Sequence, residues 1–387
     1  MMQQEAVIVA YGRSPVGKAK KGSFAATHPV ELAAKTLQGV LGRVPQLSPA
    51  DIDDLLVGCA MTNGVQGSNL GRLVAIRAGL PDSVAAATIN RFCSSGLQTI
   101  AFAANEIQAC QADVVVAGGV ESMSLVPMGQ SGPETQDPWL RENRPGAYLP
   151  MGLTAENVAK KYGITRPEMD QMAVESHRKA HQAQSSGAFD REIVPIEITG
   201  ADGVTRTVTK DEGIRPGTNL ETLATLKPAF KEDGVVTAAT SSQTSDGAAF
   251  AVLMSADKAK QLGIRPIARL VSFAVAGVPC ELMGIGPIYA VPKVMRRSGL
   301  TLADMDVIEL NEAFAAQAIP CMRELGLDPA KVNPRGGALA LGHPMGATGA
   351  ILTSKALSYL EDTDGRYALV TMCIGGGQGA AGILERI

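Results

Sequence analysis

The sequence predicts an α/β protein made of two copies of one unit. Three observations carry this. Short apolar, β-branched runs alternate with amphipathic helical patterns. One ordered set of motifs occurs twice. The chain also has ample material for a core, with 387 residues of which 45% are apolar and 19% charged.

Candidate strands lie at 6–10, 54–59, 84–89, 113–117, 251–254, 268–274, 307–310 and 368–372. Helical periodicity covers 29–41, 97–108, 154–161, 166–183, 255–262, 290–298, 313–325 and 346–360. The opening Ala6-Val-Ile-Val-Ala10 run is continuously apolar, as a strand covered on both faces requires. Strands separated by helices predict mostly parallel sheets with helices on both faces.

The repeat is read from four matches in the same order. Leu47-Ser-Pro-Ala-Asp-Ile-Asp-Asp-Leu-Leu-Val-Gly-Cys-Ala60 parallels Leu300-Thr-Leu-Ala-Asp-Met-Asp-Val-Ile-Glu-Leu-Asn-Glu-Ala313. Each follows a helix with Pro near its start and Lys six residues later, Pro29/Lys35 and Pro287/Lys293. Asn90 before one turn parallels Asn333 before another, and Gly118-Gly119 after a strand parallels Cys373-Ile-Gly-Gly. Repetition in register implies two copies of one α/β unit. The domain reading is a first half at 1–120, completed by about 237–265, and a second half at 266–387. Between them 121–236 reads as an inserted lid or loop domain, with its Pro/Gly-rich 128–152 stretch and the single Trp139.

Composition excludes several function classes. A net charge of −3 leaves no basic footprint for nucleic acid. Six scattered cysteines without a CxxC pair read as reduced intracellular thiols. No apolar run reaches the roughly 18 residues of a membrane span. Met1-Met2-Gln3-Gln4-Glu5 enters the first strand without a leader pattern, and no Asn-x-Ser/Thr sequon occurs, so a cytoplasmic location is expected.

Candidate chemistry gathers at strand-to-helix turns. In Asn90-Arg-Phe-Cys93-Ser-Ser-Gly, Cys93 precedes a helix, whose dipole favours a thiolate nucleophile; a buried structural thiol is the alternative. In Gly342-His343-Pro344, an imidazole held between Gly and Pro has the rigid placement of a general base. Cys373-Ile-Gly375-Gly-Gly follows a strand and exposes backbone N–H groups suited to an oxyanion, or else is only a tight turn. Asn311 in Asn-Glu-Ala-Phe-Ala could hold a water or an oxyanion, or cap a helix.

Three further motifs do not carry function. Gly12-Arg-Ser-Pro-Val-Gly17-Lys18-Ala19 nearly spells a phosphate-binding loop, but Ala19 stands where the Mg²⁺-ligating hydroxyl belongs. Gly377-Gln-Gly379-Ala-Ala-Gly382 has no helix after it. His177 and His181 lack a third ligand and read as a solvated helix face.

The ordered set of Arg13-Ser-Pro, Asn90-Arg-Phe-Cys93-Ser-Ser-Gly, Gly118-Gly-Val-Glu-Ser-Met, Thr154-Ala-Glu-Asn, Asp246-Gly-Ala-Ala, Asn311-Glu-Ala-Phe-Ala, Gly342-His-Pro and Cys373-Ile-Gly-Gly-Gly resembles the thiolase family over essentially the whole chain. Within that family it is similar to the degradative 3-ketoacyl-CoA thiolases. The resemblance implies a thiolase-like α/β fold, with two duplicated halves forming a five-layered αβαβα core and an inserted lid. It implies thiolysis of 3-ketoacyl-CoA, with Cys93 as nucleophile, His343 as its activating base and Cys373 as the acid that protonates the departing carbon. Asn311 would hold a water in one oxyanion site. The N–H groups of Cys93 and Gly375 would form the other. Coenzyme A is expected as co-substrate, with no permanently bound cofactor and no metal. Met151, Arg215, Thr222, Ser242, Ala313 and Phe314 match positions that would line its site.

Pro150 stands before Met151-Gly152 where biosynthetic relatives carry His, which implies a longer and broader acyl range. Ala347 stands where degradative relatives often have Cys, and the peroxisomal extension of eukaryotic relatives is missing. A homodimer or homotetramer is implied. Two other readings stay open: a ketoacyl synthase-like condensing enzyme, which would lack a second Cys like Cys373, and a catalytic or assembly subunit of a multifunctional β-oxidation complex.

Overall fold

The structure is a computed structural model that describes residues 4–129, 133–200 and 203–387. The Met1-Met2-Gln3 start and part of the 128–152 stretch lie outside the described residues. The first half runs β1 (Ala6–Arg13), β2 (Gly17–Lys18), α1 (Pro29–Leu41), β3 (Asp54–Gly58), α2 (Leu70–Arg77), β4 (Ala85–Ile89), α3 (Ser95–Gln108) and β5 (Val114–Ser122). An intervening segment carries α4 (Pro138–Asn143), α5 (Met151–Tyr162), α6 (Arg166–Ser185), β6 (Ile196–Thr199), β7 (Thr205–Val208) and α7 (Leu220–Ala224). The chain returns through β8 (Ser245–Ser255) and α8 (Ala256–Leu262). The second half runs β9 (Ala268–Gly277), α9 (Gly286–Ser298), β10 (Val307–Leu310), α10 (Ala315–Leu325), α11 (Ala338–Leu341), α12 (Met345–Thr363), β11 (Tyr367–Ile374) and β12 (Gln378–Arg386).

The duplication is visible in the strand order. Outward from β1 the strands run β1-β8-β5-β3-β4, and outward from β9 they run β9-β12-β11-β10. Val332, bridged in parallel to Ile308, takes the place beyond β10 that β4 takes beyond β3. The two sets of strands join through β1 and β9, where Ile8 stands opposite Ala268.

Helix–strand alternation predicts mostly parallel sheets, and here the structure differs. Only β3–β4, β3–β5 and β10–β11 are parallel. The β1–β8, β5–β8, β9–β12, β11–β12 and β1–β9 pairs are antiparallel. β12 follows β11 by a tight turn and β8 follows β5 after the whole intervening segment, so neither is the product of a simple strand–helix–strand crossover and both enter reversed. The sequence pattern marks crossovers and passes over these returns. It also passes over β12 and α2: the Gln378-Gly-Ala-Ala-Gly start of β12 is poor in β-branched residues, and α2 is a short helix.

Alternating side chains sort the core into layers. On β5, Val114 and Val116 pack toward α1, while Val115 and Ala117 pack toward α3. On β8, Phe250, Val252 and Met254 join the first set and Ala249, Ala251 and Leu253 the second. The second set also contains Leu97, Ile100 and Ile107 of α3, Ile351 and Leu357 of α12, and Val370 and Met372 of β11. A third cluster lies between the second sheet and α9 and α10. Helix, sheet, paired helices, sheet and helix make five layers.

The two central helices meet at their N-terminal ends, backbone against backbone. A Cβ on Gly96 would lie 2.8 Å from the Ala350 nitrogen, and one on Gly349 would lie 2.2 Å from the Leu97 nitrogen. On the other side, the turn at Gly346 presses against Gly119 at the end of β5. The inserted segment is fastened to this frame by Arg13. Its buried guanidinium donates to Asp211 at 2.7 and 2.9 Å and to Glu192 at 2.8 Å, and stacks over Phe189. The Arg13-Ser-Pro motif is thus a tether rather than part of a phosphate loop.

Replacing Gly349 tests the helix contact. In a free helix Gly→Ala gains about 1 kcal/mol. At this crossing overpacking costs roughly 1–3 kcal/mol or more, so Gly349→Ala is expected to lower the thermal unfolding midpoint. Gly42→Ala, at the C-terminal end of α1 with ordinary contacts, is the tolerated control in the same calorimetric series.

Candidate active site

Cys93 lies in a one-turn 3-10 helix, Phe92–Ser94, that leads into α3. Phe92 has φ 41, a left-handed conformation uncommon for a side chain of this size. It is held from both sides: its N–H donates to Asn90 Oδ1 at 2.8 Å, and its carbonyl accepts from Ser95 Oγ at 2.7 Å.

His343 occupies the corresponding place ahead of α12. The repeat therefore puts the two candidate groups at the N-terminal ends of the two helices that touch through Gly96, Gly346 and Gly349. Met345 and Cys93 pack against the same small cluster of Ala60 and Met123.

The imidazole is buried and its hydrogen bonds set its tautomer. Its Nδ1 lies 2.6 Å from Thr348 Oγ1, and the Thr348 hydroxyl donates to the Pro344 carbonyl at 3.0 Å. With that proton committed, Nδ1 carries the hydrogen and Nε2 keeps its lone pair. Nε2 faces the Asn311 side-chain nitrogen at 3.4 Å. Burial lowers the His343 pKa to about 4, so the ring is neutral near pH 7.

Asn311 follows β10, with its backbone N–H bonded to the Thr371 carbonyl at 3.0 Å and its carbonyl accepting from Gln317 Nε2 at 3.2 Å. It caps no helix, because α10 begins after Phe314. Asn311 Oδ1 is buried and has no partner among the described residues. Such an atom costs roughly 1–3 kcal/mol unless a donor reaches it, which suits a water or ligand group there.

Cys373 ends β11 and is fully buried. The tight Gly375–Gly377 turn into β12 depends on φ 78 and 84 at Gly376 and Gly377, values open to glycine. The turn brings the Gly375 backbone to hydrogen-bond the Cys93 thiol, which its own backbone N–H also reaches. Met151 Sδ and the Phe92 ring flank Gly375.

A helix N-terminus predicts a thiolate at Cys93, and the structure corrects this. Burial dominates and pushes the thiol up to about 11; the two backbone N–H groups pull it down and the nearby Glu121 carboxylate pushes it up. Burial, and the proximity of Cys93, raise Cys373 well above the ordinary thiol range. Both thiols are therefore protonated near pH 7, and the His343 imidazole is neutral.

The expected coenzyme A residues separate into two groups. Met151, Ala313 and Phe314 share an apolar cluster with Cys373, and Phe314 meets Phe230 edge-on at 6.0 Å. Ser242 joins them through its N–H, which donates to the Ala313 carbonyl at 2.9 Å. Arg215 and Thr222 stand apart on the exposed loop before α7 and on α7 itself. His177 is not on a solvated face: it is buried, accepts from the Arg215 N–H at 3.1 Å, and has its pKa lowered to about 4. Its helix packs that face under the 211–215 loop, which helical periodicity does not show.

Three further residues become visible only here. Thr348 sets the imidazole tautomer. Glu312 accepts from Ser176 Oγ and Asn333 Nδ2, at 2.7 and 2.8 Å, and so ties α6 to the second half. Glu121 lies under the turn before α12. No group of three or more His, Cys, Asp or Glu that could hold a metal occurs among the described residues, and no helix there is long and apolar enough to cross a membrane.

Two outcomes test this geometry. Alkylation of Cys93 by iodoacetamide in the free enzyme is expected to quicken about tenfold per pH unit through the range below about 11, as the reactive thiolate fraction rises. A rate already level at pH 8 would contradict the protonated resting state. Thr348→Val is expected to lower kcat by about tenfold or more, with Thr348→Ser restoring it, since only the hydroxyl accepts from Nδ1.

The known proteins most informative for this chain share its whole length. It is 50% identical over 391 residues to a 3-ketoacyl-CoA thiolase of Bacillus subtilis, covering 99% of both chains. It is 46% identical over 385 residues to the human peroxisomal 3-ketoacyl-CoA thiolase, covering 98% of this chain and 90% of the other. The crystal structure of the Bacillus anthracis acetyl-CoA acetyltransferase superposes with a TM-score of 0.92 at 41% identity, over 100% of both chains. The thiolase N-terminal domain matches residues 6–257 and the thiolase C-terminal domain residues 264–386. With this coverage, on a duplicated five-layered frame, the chain belongs to the thiolase family.

Proposed function

We propose that this enzyme cleaves 3-ketoacyl-CoA with coenzyme A, giving acetyl-CoA and a shortened acyl-CoA through an acyl-Cys93 intermediate. The observation that carries this is the meeting of two protonated thiols, one of them bonded by the Gly375 backbone, at the helix ends that also bear a neutral imidazole. A single-thiol condensing enzyme of the ketoacyl synthase type has no use for Cys373.

The reaction begins when His343 Nε2 takes the Cys93 proton and the sulfur attacks the 3-keto carbonyl. The N–H groups of Cys93 and Gly375 receive the developing oxyanion. The carbon–carbon bond breaks, and its electron pair goes to the α-carbon of the departing acetyl-CoA. That charge is delocalised onto the thioester oxygen, where protonated His343 and a donor held by Asn311 meet it. Cys373 gives its proton to the carbon. Its raised pKa keeps that proton in place until the carbanion forms. Acetyl-CoA departs and coenzyme A enters; its thiol returns a proton to Cys373 and attacks acyl-Cys93, Cys93 leaves as a thiolate that recovers its proton from His343, and the shortened acyl-CoA is released. One nucleophile serves both halves, so the kinetics are ping-pong.

Coenzyme A would enter beside Met151, Ser242, Ala313 and Phe314, with Arg215 and Thr222 reaching its outer end. It acts as co-substrate, with no permanent cofactor. Pro150 beside Met151 favours a broad acyl range. The reading includes a cytoplasmic homodimer or homotetramer. The half-exposed outer strand β4, with Leu73 and Ile76 exposed on the adjoining α2, supports association there.

Thiolysis of a chain-length series of 3-ketoacyl-CoAs, with mass spectrometry of the trapped enzyme, is expected to find the acyl group on the Cys93 peptide. Acylation elsewhere would end the proposal. Cys373→Ser is expected to slow carbon–carbon cleavage by about 100-fold or more while acyl transfer from Cys93 to coenzyme A persists. Equal loss of both steps would show that Cys373 has another role.

A further inference from the structure

One buried carboxylate near the reaction centre takes no part in the chemistry above. Glu121, at the end of β5, is fully buried. Its oxygens accept from the Ala60 N–H at 2.8 Å, the Met61 N–H at 3.2 Å, the Gly346 N–H at 2.8 Å and Gln66 Nε2 at 2.7 Å, with the Cys59 thiol at 3.8 Å. Every partner is a donor. Burial raises the Glu121 pKa and these donors pull it back down; a protonated acid would have to turn its hydrogen toward one of the donors, so the geometry favours the carboxylate.

The donors come from three separate pieces of chain. Ala60 and Met61 follow β3 and belong to the small apolar cluster on which Cys93 rests. Gln66 lies in the loop after them, and its own Oε1 accepts from the Ser122 N–H at 2.5 Å, closing a ring with the residue next to Glu121. Gly346 is in the first turn of α12, three residues after His343, and comes from the other half of the molecule. One anion thus joins the platform beneath the nucleophile to the turn that presents the base.

We propose that Glu121 is a positioning residue for thiolysis, a buried anionic clamp that holds the His343–Gly346 turn in register with the Ala60–Met61 platform under Cys93. This inference rests on the function proposed above. The placement is favourable for the helix, since a carboxylate at the α12 N-terminus meets the positive end of its dipole. It carries a cost for the nucleophile, because a fixed negative charge opposes formation of the thiolate. The other titratable groups facing this spot are Cys59 from the end of β3, Cys373 from β11 and His343 ahead of α12. Burial keeps all three neutral. Arg91, on the nucleophile loop, turns its guanidinium to Gln378 Oε1 at 3.1 Å. Glu121 is therefore the negative charge that Cys93 feels.

The two effects give opposite signatures in one variant. In full-length Glu121→Gln, kcat for thiolysis is expected to fall about 10- to 100-fold through misplacement of the base, while KM for coenzyme A stays within about threefold. The pH midpoint for iodoacetamide alkylation of Cys93 is expected to move down, because a charge has been removed. Loosening that let water reach Cys93 would also lower that midpoint, because burial is the main cause of its rise, so a charge-conserving variant separates the two causes. Glu121→Asp keeps the charge and is expected to leave the midpoint in place while kcat still falls. If Glu121→Gln does not fold, Gln66→Ala removes one donor at the rim of the clamp. It is expected to lower kcat about fivefold or more with the alkylation midpoint unchanged. A folded Glu121→Gln with kcat within twofold of wild type, an alkylation midpoint that does not fall, or a Gln66→Ala with full kcat would each overturn the proposal. Failure of the function itself reads differently: the wild type then shows no thiolysis, while the alkylation series still reports whether Glu121 opposes the Cys93 thiolate.

Discussion

The structure depends on the contact between the N-terminal ends of α3 and α12. These helices form the middle layer, and each carries one member of the candidate catalytic pair just ahead of its first turn. Their backbones approach so closely at Gly96, Gly346 and Gly349 that a single added methyl group would displace one of them. Interiors are close-packed and do not absorb such shifts smoothly. The separation of the turns bearing Cys93 and His343 is therefore set by backbone contact rather than by flexible side chains, which is the rigidity a reaction centre requires.

Duplication explains why that contact can be catalytic. Each half delivers a strand end, a turn and a helix start to the same face, and the shared middle layer brings the two faces together. The halves then diverge in what they contribute. The first supplies Cys93 and Glu121, the second His343, Asn311 and Cys373. The inserted segment, tied down by Arg13 and by Glu312, adds the Met151 wall and the exposed loop bearing Arg215.

Electrostatically the centre is poised rather than charged. Burial holds both thiols protonated and the imidazole neutral, so no ion pair has to be desolvated before substrate arrives. In the proposed reaction, proton movement begins only when a carbonyl enters between Cys93 and the waiting N–H groups. Cys373 is the clearest case, for in that proposal a thiol this deep keeps its proton until a carbanion forms beside it.

Much of this was legible in the chain of residues alone. The α/β class, the duplication and the turns bearing Cys93, Asn311, His343 and Cys373 follow from local pattern, because strand runs, helix starts and glycine turns are written over a few consecutive residues. The antiparallel returns of β8 and β12 were not legible, since strand direction depends on how the chain comes back and not on its periodicity. The protonation of Cys93 was misread for a related reason: a helix N-terminus is a local feature, whereas burial is contributed by residues hundreds of positions away. Thr348, Glu121 and the buried His177 likewise acquire their roles from partners on other elements. Sequence determined which chemical groups exist and on which turns they stand. Tertiary structure decided which of them meet, how dry their meeting place is, and therefore which protons they hold, because desolvation and hydrogen bonding are properties of the assembled interior.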